Sequence, residues 1–445
     1  MGTYFPEAFQ IPGKRKRSKA SAKQAGLRLL YTGFQEQFLK RAHNGLFFLT
    51  TVHPHILQAN YFPIVGKNLV YALLMPFVIL DLQVRNAPQI GVKDLSIPSM
   101  MKALVIEAND KLVYKDIPVP PLKDDEVLVK VKACGICGSD IPRVLHNGTH
   151  FYPITIGHEF SGEIAATGAK VNKYQEGQRV TVAPLIPCRE CEACEEGHPA
   201  MCSHYSFIGS RQQGAMAQYV AVPARNIVPI APEVSFVQAA VIEPITVAMH
   251  GVERAGAITS GKSALVYGCG TIGLLTLECL RAKGLEKVYA IDIDDNKLAM
   301  ADKLGAYKTI NSQKEDVEAF FKELGGVDYA FETAGVPFLQ AQILELTKKK
   351  GTIVYIGTAH GEVKFPPQTF EKILRGELNI TGSWQSFTAP FPGSEWQAAA
   401  ELLKSGKLQV DDLITHQYPL SAGIEAFHTL TDRQSGAIKV MYVMD

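Results

Sequence analysis

Ser263-Ala-Leu-Val-Tyr267, then Gly268-Cys-Gly270-Thr-Ile-Gly273, then Leu274 to Ala282: this run decides the fold of the chain. Its first five residues read as a short apolar strand and its last nine as an apolar helix, with the three glycines between them. A glycine triplet at this spacing also arises by chance, and it is the strand before and the helix after that point to a dinucleotide fingerprint. Gly268 allows the tight turn, Gly270 lets a pyrophosphate approach the backbone, and Gly273 lets helix and strand pack closely. Thr271 and Ile272 open the helix, whose unpaired N–H groups and positive dipole end would face the phosphates.

Downstream, Lys287-Val-Tyr-Ala-Ile-Asp292 reads as a second strand ending in an acid 19 residues after Gly273. A carboxylate there accepts from both hydroxyls of an adenine ribose and repels a 2′-phosphate, which favours NAD over NADP. Lys297 joins the expected cofactor contacts. Further strands are expected at 308–310, 327–331, 352–356 and 378–381, with helices over 315–324 and 338–346. Six strands alternating with helices imply an α/β domain with a doubly wound parallel sheet. Cys269 and Cys279 read as packing residues.

The chain has 445 residues, 47% of them apolar, which is too long for one small domain. Its 45 Lys and Arg against 44 Asp and Glu oppose a protein built to coat nucleic acid or an anionic membrane. The charge is uneven, with 12 basic and 4 acidic residues in 1–100 and therefore 33 and 40 in the rest. The basic run Lys14, Arg15, Lys16, Arg17, Lys19 and Lys23 reads as a solvated tail. The apolar stretch Tyr61–Leu80 is interrupted by Pro63, Lys67, Asn68 and Pro76, which argues against a membrane span. No secretory signal is recognised, and regular structure is expected only from Met100–Met101, read as the true start after a leader without an assigned role.

Six of the eight cysteines fall between Cys134 and Cys202. Cys188, Cys191, Cys194 and Cys202 form a C-x2-C-x2-C-x7-C array whose short gaps can wrap four thiolates around one tetrahedral zinc ion. Disulfides are the weaker alternative in a chain without an export signal, and an iron–sulfur cluster is the runner-up. Upstream lies Cys134-Gly-Ile-Cys137-Gly-Ser-Asp140, and 21 residues after Cys137 comes His158, in Gly157-His158-Glu159. An open catalytic metal site needs ligands from distant loops and room for a substrate oxygen. Cys137 and His158 are candidates, and spacing alone leaves Glu243, beside Pro244, a guess.

Taken together, these motifs, in this order over 101–445, resemble the zinc-containing medium-chain alcohol and polyol dehydrogenase family. The resemblance implies a GroES-like β-barrel catalytic domain, about 101–246 with 385–445, interrupted by a Rossmann domain over 247–384. It implies two zinc ions per chain, one catalytic and one structural, with NAD as cofactor. The stretches Ser139-Asp-Ile-Pro-Arg143, Phe207-Ile-Gly-Ser-Arg211 and Pro392-Gly-Ser-Glu-Trp396 resemble a branch acting on polyol phosphates. In that branch Cys, His and the Glu of Glu-Pro-Ile-Thr-Val hold the catalytic zinc, here Cys137, His158 and Glu243. Ser139 is expected to pass the hydroxyl proton outward, and Glu159 to stand behind the ligands or replace one of them. Arg143 and Arg211 are the candidate seats for a phosphate, or equally structural ion-pair partners. Cys134 is an extra thiol, and Pro142 stands where some family members place a proton-relay His. Sorbitol, threonine and butanediol dehydrogenases share the same machinery and are the rival activities. A zinc-ribbon nucleic-acid module is opposed by the acidic body. The expected protein is a cytoplasmic homo-oligomer, dimer or tetramer, with a small-molecule substrate and no stable membrane association.

Overall fold

Glu126–Gly135 organises the first sheet, because Val127, Leu128, Val129, Val131, Ala133 and Cys134 are all buried along it. A computed structural model describes residues 97–146 and 148–444 of the chain. The leader, its basic run and the apolar stretch at 61–80 lie outside the described residues up to residue 96. No helix among the described residues is long and apolar enough to cross a membrane.

On one side Glu126–Gly135 pairs antiparallel with Glu159–Thr167. On the other, its first half pairs with Tyr219–Pro223 and its last residues with Lys439–Val443. Arg179–Val182 and Ile227–Pro229 extend the sheet on the Glu159–Thr167 side, and Ile414–Pro419 joins Lys439–Val443 at the other end. The register sets Gly135 opposite both Glu159 and Met441. That register matters for chemistry: the loop carrying Cys137 and the residue before Glu159, His158, emerge at the same end of neighbouring strands.

The second sheet has six parallel strands in the order 308–311, 287–292, 263–267, 327–332, 347–355, 379–382. The order reverses between Ser263–Tyr267 and Val327–Glu332, and in such sheets the crevice at the strand carboxyl ends is the ligand site. All six strands lie where the sequence pattern predicts them. The fifth begins earlier, at Thr347, because the charged run Lys348–Lys350 hides its start from a reading based on apolar residues.

Helix Ile242–Arg254 links the two parts. Pro244 is tolerated in its first turn, where no intrahelical N–H bond is lost, and Glu243 there complements the helix dipole. Ile245, Ala248, Met249 and Val252 bury one face in a core shared with Leu274 and Leu277 of helix Thr271–Ala282 and Trp396 of helix Ser394–Lys404. The expected boundary at 246/247 therefore falls inside one continuous helix. After Gly382 the chain returns to supply Ile414–Pro419 and Lys439–Val443 to the first sheet.

Candidate active site

Cys137 leaves the end of Glu126–Gly135 and His158 precedes Glu159–Thr167, so the sheet register brings them together. One donor atom each from Cys137, His158 and Glu159 lies within 4.8 Å of the other two. His158 is buried with its ring edge-on to Phe207, centroids 5.5 Å apart. Its Nδ1 is buried without a hydrogen-bond partner and stands 3.6 Å from Asp140 Oδ1. Asp140, fully buried, accepts from the Cys137 backbone N–H at 3.1 Å and from Arg143 Nη1 at 3.2 Å. Ser139 Oγ donates to Cys137 Sγ at 3.3 Å and accepts from Arg143 Nη1 at 2.9 Å.

Two carboxylates meet this group from different directions. Glu159 is buried in an ion pair with Lys439, whose Nζ also donates to the Ile136 carbonyl at 3.0 Å. Glu243 is buried, lies outside the three-residue cluster, and has no ion-pair partner among the described residues. Burial pushes its carboxyl up to about 7, against the pull of His158. Burial, then the charges of Glu159 and Asp140, push the Cys137 thiol up as well. Lys439 stays well protonated because Glu159 and Cys137 outweigh its burial. A soft thiolate, an imidazole with an orphaned nitrogen and nearby carboxylates are a donor set suited to zinc.

Cys188, Cys191, Cys194 and Cys202 bring their sulfurs within 4.8 Å of one another. The Cys188 and Cys202 sulfurs are 3.4 Å apart, and all eight cysteines are free. In a tetrahedron of Zn–S bonds the sulfurs stand about 3.8 Å apart, so this packing fits a metal and not disulfides. Backbone N–H groups of Ser203 and Cys194 bring the Cys191 thiol down to about 6, and burial pushes Cys194 up to about 12. Four ligands around one point leave no open position, which is the mark of a structural ion.

In the second sheet Gly268 has φ +99°, and a Cβ at Gly273 would collide with the Gly268 carbonyl and with Thr333 Oγ1. Gly270 caps helix Thr271–Ala282 and Thr271 Oγ1 donates to the Ile438 carbonyl at 2.8 Å. Asp292 Oδ2 accepts from the Cys269 N–H at 2.6 Å, and Oδ1 accepts from Ile293 and Asp294. The acid is thus held over the glycine turn. Lys297 lies on helix Asp295–Lys303, near enough to Cys269 to oppose the rise of its thiol pKa.

The two arginines differ. Arg143 commits Nη1 to the Ser139 carbonyl and hydroxyl and to Asp140. Arg211 is exposed and stacks on Tyr205 at 4.5 Å, two residues before the Phe207 that touches His158. Lys439 and Asp140 have no role in the sequence-based site. Asp140 is present in the quoted Cys137 motif, whereas nothing local to Lys439 announces its partner 280 residues away.

Residues 123–232 match the alcohol dehydrogenase GroES-like domain family, and residues 271–405 match the zinc-binding dehydrogenase family. Galactitol 1-phosphate 5-dehydrogenase of Escherichia coli (strain K12) is 39% identical over 321 residues, which is 71% of this chain and 92% of that protein. The crystal structure of galactitol-1-phosphate dehydrogenase from Escherichia coli superposes with a TM-score of 0.73 and 37% identity, covering 77% of this chain and 100% of that one. An alcohol dehydrogenase from Escherichia coli CFT073, solved with NADH, gives 0.72 and 29%, covering 78% and 100%. The chain belongs to the zinc-binding medium-chain dehydrogenase family, with a GroES-like domain and a Rossmann domain. It is an oxidoreductase of the zinc-dependent alcohol and polyol dehydrogenase class.

Proposed function

We propose that the chain oxidises a secondary alcohol of a polyol phosphate of the galactitol 1-phosphate kind, with NAD as hydride acceptor. The observation that carries this is an exposed arginine, Arg211, stacked on Tyr205 and tied through its backbone N–H to the carbonyl of Phe207, whose ring packs on His158, together with the 39% identity to a polyol-phosphate enzyme. When bound, zinc polarises an alcohol oxygen and NAD takes up the hydride.

Cys137 and His158 would hold the catalytic ion, with Glu243 as the third ligand. Glu243 fits because it is buried and unpaired, whereas Glu159 is already neutralised by Lys439. The tighter grouping of Glu159 with Cys137 and His158 favours the alternative in which Glu159 ligates. Zinc counts on Glu243→Gln and Glu159→Gln separate the two assignments. Asp140 fixes the Cys137 backbone and sets a negative charge 3.6 Å from His158 Nδ1. Ser139 Oγ, held by Arg143, carries the hydroxyl proton from the site to solvent, a role consistent with its exposure. Cys188, Cys191, Cys194 and Cys202 hold the structural ion. Gly268, Gly270, Thr271, Ile272 and Gly273 receive the pyrophosphate, Asp292 the adenine ribose, and Lys297 adds a cation nearby.

The catalytic part comprises 101–246 with 385–445, and 247–384 the cofactor part. Free thiols in the four-cysteine lobe suit the reducing cytoplasm. A homo-oligomer, dimer or tetramer, is favoured by Phe370 and Leu374, 60% and 77% exposed on helix Pro367–Gly376 beside the edge strand Asn379–Gly382. NAD-linked turnover on galactitol, sorbitol, threonine and butanediol, set against galactitol 1-phosphate and other polyol phosphates, tests the substrate class. Faster turnover of the unphosphorylated compounds would reject it.

A further inference from the structure

Helix Ile242–Arg254 carries a second set of donors at the end remote from Glu243. His250 and Glu253 stand one turn apart on it, and Glu395 comes from the first turn of helix Ser394–Lys404. One donor atom of each lies within 4.8 Å of the other two. Glu395 is 2% exposed, and its Oε2 accepts from Thr388 Oγ1 at 2.9 Å. Its Oε1 faces His250 Nδ1 at 3.6 Å, beyond hydrogen-bond reach. That Nδ1 is itself buried with no hydrogen-bond partner. Gly393, at φ +123°, makes the turn possible: a Cβ there would strike Thr388 Oγ1 and crowd the Glu395 carboxylate.

Among the described residues, neither Glu253 nor Glu395 has a lysine or arginine ion-pair partner, and the only ion-pair geometry at this cluster is with His250. Glu395 thus buries a carboxylate with only the His250 imidazole in ion-pair geometry and with Glu253 at the exposed rim, and burying such a charge is costly unless a cation or a proton neutralises it. We propose that His250, Glu253 and Glu395 form a further binding site for a divalent transition-metal ion of the zinc, cobalt or nickel class. One imidazole nitrogen and two carboxylate oxygens suit borderline ions, while an imidazole donor disfavours calcium and magnesium. The i, i+3 spacing puts His250 and Glu253 on one helix face, and Thr388 orients Glu395 from behind as partners of metal ligands do. An ion here pins the helix whose first turn holds Glu243 to the helix that carries Trp396.

The test uses the full-length holoenzyme, equilibrated with micromolar zinc, desalted and analysed for metal per chain. Wild type, Glu253→Gln and His250→Gln are treated side by side, and melting temperature is read with and without added zinc. Glu253 is exposed, so its amide variant folds even if His250→Gln does not. Each variant is expected to hold one equivalent fewer than wild type, and added zinc to raise the melting temperature of wild type only. The comparison is a difference, so a mistake about the other two zinc centres changes all three totals alike and leaves it intact. Equal metal content in wild type and Glu253→Gln, with equal response to zinc, would show a simple His250–Glu395 ion pair and overturn the site.

Discussion

Replacing Lys439 by methionine removes the cation from a pair in which both side chains are nearly sealed, at 2% and 3% exposure. Methionine matches the lysine stem, so no large cavity forms. What remains is the Glu159 carboxylate, close to the Cys137 thiol and with Asp140 and Glu243 among its neighbours. All of these are acidic groups. Breaking a buried pair from one side costs about 3–5 kcal/mol, a range that includes the donor lost by the Ile136 carbonyl. A domain is stable by about 5–15 kcal/mol, so the loss is a large part of the whole. Removing both charges, in Lys439→Met with Glu159→Gln, leaves no stranded carboxylate, and most of the loss should return. The assay is urea unfolding of wild type, single and double variants near neutral pH, with zinc measured on the same samples. A single-variant loss below about 1 kcal/mol, or a double variant as unstable as the single, would refute the compensated-pair explanation.

Cys191→Ser should lower zinc by one equivalent and cost folding, read as a fall in soluble yield and melting temperature, because a structural site contributes its binding energy to stability. Glu278→Gln should stabilise the protein in a pH-dependent way. Glu278 is buried, accepts from the Gln409 N–H at 3.0 Å, leaves Oε2 unpartnered, and is pushed by burial up to about 7. The folded state therefore holds this proton more tightly than the unfolded chain. The penalty is absent below about pH 4.5, grows toward pH 7, and reaches about 3 kcal/mol above it. Urea unfolding near pH 5 and pH 8 should show a gain for the amide only at the higher value, and an equal effect at both would reject the assignment. Arg211→Ala should raise KM for a phosphorylated polyol about tenfold or more, given the roughly 1.5–3 kcal/mol of a charged hydrogen bond, and leave the unphosphorylated polyol unchanged.

Local motifs made much of this molecule legible. The glycine turn declares itself because strand, turn and helix are contiguous, and the four-cysteine lobe because its ligands lie within 15 residues. Cys137 and His158 were recognisable as motifs, but only the register of Glu126–Gly135 with Glu159–Thr167 brings them together. Long-range pairs left no signal. Lys439 reads as a strand residue in a run of apolar neighbours, and Glu395 as a helix opener, until the tertiary fold sets one against Glu159 and the other against His250. Arg143 illustrates the reverse: its sequence position suits a phosphate, while its Nη1 is spent on Ser139 and Asp140 within its own short helix. The family resemblance implies a boundary at 246/247, and only the fold shows that helix Ile242–Arg254 runs across it, with Pro244 harmless in its first turn.

The most direct measurement of the central claim is metal content and NAD-linked alcohol oxidation on the same preparations of wild type and Cys137→Ser. Loss of one zinc equivalent together with all turnover, with NAD affinity and the four-cysteine ion intact, is the predicted result. Unchanged turnover in the variant, with zinc found only in the cysteine lobe of either protein, would contradict it.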